Sequence, residues 1–211
     1  MNRPLVVAIT GASGAVYAVR LVQLLARACP ELHLVVSPAG RDVLQLELGV
    51  ELGQEELDPA RLVGLDIPWC ESPAGEPTAE MHMHHYKDMM APIASGSFLT
   101  AGMVICPCSG GTLSNVVSGA SGNLIHRAAD VHLKEGRRLI LVPRETPLSR
   151  VHLDNMLRAR DAGATVLPAS PGWYHGVKGL GDLVDFVVAR VLDQLEVEHS
   201  LMKRWSETAD D

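Results

Sequence analysis

Two glycines bracket a serine in Gly11-Ala12-Ser13-Gly14, directly after the apolar run from Leu5 to Thr10. A buried strand, a small-residue turn and a helix start, in that order, leave backbone N–H groups pointing outward at the positive end of a helix dipole. An anionic or oxygen-rich ligand settles at such a place, and small residues let it come close. Two further stretches carry hydroxyls among small residues: Ala91-Pro92-Ile93-Ala94-Ser95-Gly96-Ser97 and Pro107-Cys108-Ser109-Gly110-Gly111-Thr112. In an open parallel sheet such loops gather at the carboxyl ends of the strands, and three of them together line a pocket for a phosphate- or flavin-sized ligand. The continuous Gly-x-x-x-x-Gly-Lys-Ser/Thr loop of a nucleotide triphosphatase is absent.

Charged side chains recur beside these loops. Arg127 and Lys134 lie seven apart in a helical stretch, two turns apart on one face, a spacing that grips a phosphate. Arg144 and Glu145 sit between Pro143 and Pro147, directly after a strong strand, in a loop stiff enough to position catalytic groups. Glu47 falls in the last turn of a helix that Gly49 stops, where a carboxylate opposes the helix dipole. Trp173 and Tyr174 follow another strand, in a chain with few aromatics. The histidines of Glu80-Met81-His82-Met83-His84-His85-Tyr86 bring a metal to mind. No neighbouring cysteine or helical carboxylate pair completes a site, so this stretch is read as a polar, partly buried loop without a metal.

Strand and helix patterns alternate along the whole chain. Strands are expected at Leu5 to Thr10, Leu32 to Ser37, Asp66 to Cys70, Ala101 to Cys106, Arg138 to Val142 and Thr165 to Leu167. Helices are expected at Val16 to Ala28, Pro38 to Leu48, within Gly53 to Gly64, then at Leu113 to Ser118, Asn123 to Glu135, His152 to Ala162 and Asp182 to Leu195. No linker or repeat interrupts them. The reading is a single α/β domain over residues 1–211, Rossmann-like or flavodoxin-like, with a mostly parallel sheet flanked by helices and a disordered tail at about 206–211.

With 25 acidic against 18 basic residues, the chain carries a net charge of -7, which argues against a nucleic-acid face. No apolar run approaches the roughly 18 residues that span a bilayer. Asn2, Arg3 and Pro4 lead into the first strand without a secretory leader. Cys29, Cys70, Cys106 and Cys108 match neither a disulfide framework nor a zinc knuckle, so reduced thiols and a cytoplasmic location are expected.

The motifs Thr10-Gly11-Ala12-Ser13-Gly14-Ala15, Ala94-Ser95-Gly96-Ser97, Val104-Ile105-Cys106-Pro107-Cys108-Ser109, Arg127-Ala128-Ala129-Asp130, Leu141-Val142-Pro143-Arg144-Glu145 and Pro171-Gly172-Trp173-Tyr174-His175 occur in this order, followed by Asp182 to Arg190. In this set the chain resembles the UbiX-type flavin prenyltransferases over nearly its whole length. The resemblance implies transfer of a dimethylallyl group from dimethylallyl monophosphate to N5 and C6 of reduced FMN, closing a fourth ring. The product goes to a UbiD-type decarboxylase. It also implies a homo-oligomer, a dodecamer with sites at subunit contacts, and no metal. Carried over by position, Gly11, Ala12, Ser13, Ser37, Ser95, Gly96, Ser97, Phe98, Ser109 and Arg127 would hold FMN. Lys134, Arg144, Tyr174 and Arg190 would bind the prenyl phosphate. Ser13, Glu47, Glu145 and Lys134 would carry the catalysis.

The chain departs from the family pattern at four places. Met89 stands where a Trp is frequent, Pro38 where a Lys follows the second strand, Gly110 where a Thr follows Cys-Pro-Cys-Ser, and His126 where an acid precedes the Arg-Ala-Ala-Asp motif. The first bears on donor choice, because an aromatic face steadies an allyl cation. Two alternatives stand beside this reading: a flavin-dependent cysteine decarboxylase of the same superfamily, and a non-catalytic FMN-binding decarboxylase subunit.

Overall fold

The computed structural model describes residues 3–50, 58–202 and 204. Six strands form one all-parallel sheet in the order β3-β2-β1-β4-β5-β6. They are β1 (Leu5–Ile9), β2 (Glu31–Val36), β3 (Glu80–His84), β4 (Gly102–Cys108), β5 (Leu139–Pro143) and β6 (Thr165–Val166). This is the doubly wound order whose switch point lies between β1 and β4. The helices are α1 (Ala15–Ala28), α2 (Pro38–Leu48), α3 (Pro59–Val63), α4 (Gly110–Val117), α5 (Leu124–Lys134), α6 (Arg150–Asp161) and α7 (Leu180–Leu195), with one 3-10 turn at Pro92–Ala94.

Period-two alternation divides the core into two layers. Leu5, Val7, Ile9, Leu34, Val104 and Val142 pack on one face against α1 and α7. Val6, Ala8, Met103, Ile105 and Leu141 pack on the other against α4 and α5. Every residue of β1, β4 and β5 is buried, which is why these segments read as unbroken apolar runs.

One buried ion pair ties α1 to α7. Arg20 donates from Nε and Nη2 to the two Asp185 oxygens at 2.7 and 2.9 Å and from Nη1 to the Glu71 carbonyl at 2.6 Å, and its side chain is only 4% exposed. Removing the guanidinium strands a carboxylate in the interior. Arg20→Met is therefore expected to cost about 3–5 kcal/mol of stability, read from chemical denaturation.

Two elements differ from the sequence expectation. Asp66 to Cys70 forms no strand: Cys70 N–H bonds back to the Ile67 carbonyl at 3.0 Å, and Pro68 has no N–H for a ladder. Glu80 to His84 is a strand rather than a loop, paired with β2 so that Glu31 lies opposite Glu80 and His33 opposite His82. Alternating Met and His hid an edge strand, because its periodicity belongs to a half-buried surface whose polar positions are histidines. Within Gly53 to Gly64 the helix is α3; residues 53–57 and the tail expected to be disordered lie outside the described residues.

Candidate active site

The carboxyl edge of the sheet is built from three chain turns. The Thr10 hydroxyl, 1% exposed, donates to the Pro107 carbonyl at 2.8 Å and accepts from Ser109 N–H at 2.9 Å, so the loops after β1 and β4 are locked together. Ser37 N–H bonds the Ile9 carbonyl at 3.0 Å and brings the start of α2 alongside. Gly11 packs so closely on α2 that an added Cβ would stand 2.5 Å from that of Ala39. Ser37 and Ser109 cap α2 and α4, accepting from Gly40 N–H at 3.0 Å and Thr112 N–H at 3.3 Å. Three helix N-termini thus face one edge, which suits an oxygen-rich ligand.

α1 lacks a capping side chain of its own, because its N-cap is Gly14 at φ 117°. Glu47 supplies the cap from α2: its carboxylate accepts from Gly14 N–H at 2.9 Å and from Ala15 N–H at 2.8 Å. A carboxylate that opposes its own helix dipole is placed at the positive end of another. On the other side of the turn Arg144 Nε donates to the Ser13 carbonyl at 3.1 Å. Ser13, Glu47 and Arg144 therefore meet around one exposed turn. Glu145, the next residue, is exposed and accepts from Thr146 N–H at 3.1 Å.

The second hydroxyl loop does not join this edge. Ala101 N–H bonds the Pro4 carbonyl at 2.8 Å, just before β1, so Ser95 to Phe98 lie at the amino edge, where β4 begins. The loop arrives there because the 3-10 turn descends beside α5. Arg127 Nε holds the Ala94 carbonyl at 3.0 Å and its Nη1 pairs with Asp130 at 2.9 Å. Lys134 pairs with Glu135, and Arg137 donates to the Gly96 and Phe98 carbonyls. A Cβ on Gly96 would stand 2.9 Å from Lys134 Nζ. Ser95 and Ser97 hydroxyls bond each other at 2.9 Å. Arg127 and Lys134 thus share one face, as their spacing predicts, and that face looks onto Ser95 to Phe98.

A third group lies on α7. The Tyr174 ring meets Phe186 edge-on at 5.8 Å between centroids, and Arg190, one turn further on, pairs with Asp193 at 2.5 Å. Arg190 and Phe186 line a cavity of about 280 Å³ beside β6. A cavity of about 640 Å³ between the second half of α1 and the start of α7 contains none of the candidate residues.

The family-wide description that fits this chain is that of a flavoprotein, matched over residues 1–192. A flavin prenyltransferase UbiX from Alkalihalophilus pseudofirmus is 49% identical over 98% of this chain and 98% of its own length. The chain belongs to the UbiX-type flavin prenyltransferases. Among solved structures of this family, a UbiX in complex with FMN and dimethylallyl pyrophosphate is 38% identical, with a TM-score of 0.82 over 97% of this chain and 98% of its own. A dodecameric FMN-dependent UbiX-like decarboxylase from Escherichia coli O157:H7 is 40% identical, with a TM-score of 0.81 over 96% and 98%.

Among the residues where this flavin prenyltransferase departs from the family pattern, Gly110 has a local reason. A Cβ there would stand 3.1 Å from His152 Nε2, on the first turn of α6. Met89 is partly exposed beside the fully open Met90. Two residues of the carboxyl edge, Thr10 and Tyr17, are not among those expected from sequence to form the site. Thr10 was read as the end of a strand, although a buried hydroxyl after an apolar run must find partners. Tyr17 packs under Gly14, and burial raises its phenol pKa against the pull of Arg144. Cys106 and Cys108 are core residues: burial pushes the Cys108 thiol up to about 12 and raises that of Cys106 as well. Iodoacetamide at neutral pH should leave both unmodified in the folded protein and label both after unfolding, as read by peptide mass mapping.

Proposed function

We propose that this chain joins the dimethylallyl group of dimethylallyl monophosphate to N5 and C6 of reduced FMN, in a site completed by more than one copy of the chain. The observation that carries the reading is the meeting of Ser13, Glu47 and Arg144 on a small-residue turn in a chain of this family. Bound reduced FMN supplies the nucleophilic nitrogen and carbon. Gly11, Ala12 and Ser13 give the ring a close, flat surface, with Ser37 and Ser109 beside it. The Ser37 hydroxyl accepts the Gly40 N–H and keeps its own proton to donate, whereas the Ser109 hydroxyl donates to Thr112 Oγ1 at 3.0 Å.

Breaking the allyl C–O bond leaves its electron pair on the phosphate. Arg144, Lys134 and Arg190 stabilise that developing charge, and the Tyr174 hydroxyl donates to it. Closing the ring needs one proton added to the prenyl double bond, which the departed phosphate would supply after taking the N5 proton, and one proton removed at C6, which Glu145 would take. Glu47 holds the turn that positions Ser13, and Arg127 with Ser95, Gly96, Ser97 and Phe98 closes on the flavin from a neighbouring copy. Packing these groups together excludes water, which would otherwise trap the allyl cation.

The need for a second copy follows from distance. Ser13 and Lys134 sit at opposite edges of a sheet roughly 15–20 Å across, beyond the reach of a lysine side chain. Exposed Val151, Leu153 and Leu157 on α6 supply apolar surface for assembly. We take the assembly to be a dodecamer, the location to be cytoplasmic and the acceptor of the product to be a UbiD-type decarboxylase. No helix among the described residues is long and apolar enough to cross a membrane.

The test is anaerobic incubation with reduced FMN and either dimethylallyl monophosphate or the diphosphate, followed by mass spectrometry of the extracted flavin. A mass gain of one dimethylallyl unit with the monophosphate supports the proposal. A gain only with the diphosphate overturns the donor, and an unchanged mass in both arms overturns the function.

A further inference from the structure

The pairing of β2 with β3 assembles a cluster that includes none of the residues placed in the prenyl-transfer site. Parallel register sets Glu31 beside Glu80, His33 beside His82 and Val35 beside His84, so Glu31, His33, Glu80, His82 and His84 project from one face of the sheet. The Glu31 carboxylate is the centre. Its Oε1 lies 2.9 Å from His33 Nε2 and 3.4 Å from His82 Nε2. One ligand atom from each of the three falls within 4.8 Å of the others. Glu80 Oε1 stands 3.4 Å from the same His82 nitrogen.

The two separations from Glu31, 2.9 and 3.4 Å, are close to those of a coordination sphere. Two ligands bound about 2.0–2.1 Å from a tetrahedral zinc lie about 3.3 Å apart. The rings are already aligned: His33 stacks on His82 at 4.8 Å between centroids and on His84 at 5.1 Å. His33 Nδ1 is 2.8 Å from His84 Nε2. Without an ion, His33 Nε2–H donates to Glu31 and Nδ1 accepts from His84 Nε2; an ion at Nε2 would replace that proton and leave Nδ1–H facing His84 as an outer-shell partner.

We propose that Glu31, His33 and His82, with Glu80 or water in the fourth position, bind one divalent transition-metal ion of the zinc class. Two imidazoles and a carboxylate suit a borderline cation and are a poor set for magnesium or calcium. The ion staples the edge strand β3, which has a ladder partner on one side only, to β2. The site lies apart from the turn where Ser13, Glu47 and Arg144 meet, at the amino edge of the sheet, where the His33 ring meets Phe98 edge-on at 5.0 Å between centroids.

The histidine run looked incomplete in sequence because its other ligands lie far upstream, on the strand that only the fold brings alongside. The test is calorimetric titration of the chelator-treated, full-length protein with zinc alone, and with cobalt to read the visible absorption of a tetrahedral site. One ion per chain is expected, with a cobalt band in the tetrahedral range. His82→Ala and Glu31→Gln should each weaken binding by about tenfold or more. His85→Ala, a histidine outside the cluster, should leave it unchanged. His82 is the preferred variant because it is partly exposed and its loss spares the core. Absence of saturable binding, or binding that survives both cluster variants, overturns the proposal. The readout is metal stoichiometry, so it stands or falls independently of the prenyl-transfer reading.

Discussion

Assembled together, two inactive variants, Arg144→Ala and Lys134→Ala, regain flavin prenylation. Each alone should lose roughly 10²–10³ in turnover, the usual effect of deleting one preorganised group that stabilises developing negative charge. Arg144 holds the Ser13 carbonyl at the carboxyl edge of the sheet, and Lys134 ends α5 beside Gly96 at the amino edge. One phosphate touches both only if they come from different chains. In a randomly mixed assembly, about a quarter of such heterologous sites then carry both intact residues, and about a quarter of wild-type activity returns. If both residues act in the same chain, every mixed site lacks one of them and activity does not return. The measurement is prenylated flavin formed per chain after the two variants are co-expressed under distinguishable tags and purified through both.

Glu145→Gln separates chemistry from binding. The glutamine keeps the size of the side chain and loses the basic oxygen, so proton removal at C6 slows by roughly 10²–10⁴ while FMN affinity is retained. The residue follows the strand β5 and its main chain is fixed by prolines on both sides, so the substitution has little structural reach. Among the described residues its carboxylate bonds its own loop, at the Thr146 N–H. Single-turnover rates and FMN titrations on the same preparation check the separation. A variant that loses FMN instead shows that Glu145 holds the flavin and is not the base. Glu47→Gln should behave differently. It exchanges one carboxylate oxygen facing Gly14 and Ala15 N–H groups for an amide and weakens the cap on α1, so loss of stability accompanies loss of rate.

Most of the fold was legible because parallel strands are buried on both faces. The runs at Leu5–Ile9, Gly102–Cys108 and Leu139–Pro143 announce themselves by composition alone. β3 was not legible, since an edge strand shows polar side chains on one face and those of Glu80 to His84 are one glutamate and two histidines. The opening turn was also readable, and so was the shared face of Arg127 and Lys134. What spacing does not carry is the end of the sheet to which a loop is delivered. The Ser95 to Phe98 loop has the same composition as the turns after β1 and β4, yet it precedes a strand instead of following one. Glu47 is a similar case. In sequence it is a carboxylate at the wrong end of its own helix, and only tertiary packing reveals the second helix whose N-terminus it caps.

The most direct measurement of the central claim follows the atoms. Dimethylallyl monophosphate labelled with carbon-13 at its allylic carbon and at its branched carbon is mixed anaerobically with the protein and reduced FMN carrying nitrogen-15 at N5, and the extracted flavin is examined by nuclear magnetic resonance. One labelled carbon is expected coupled to N5 and the other bonded to C6, closing a fourth ring, with free phosphate released in equal amount. Label recovered as dimethylallyl alcohol, with the flavin unlabelled, would contradict the claim.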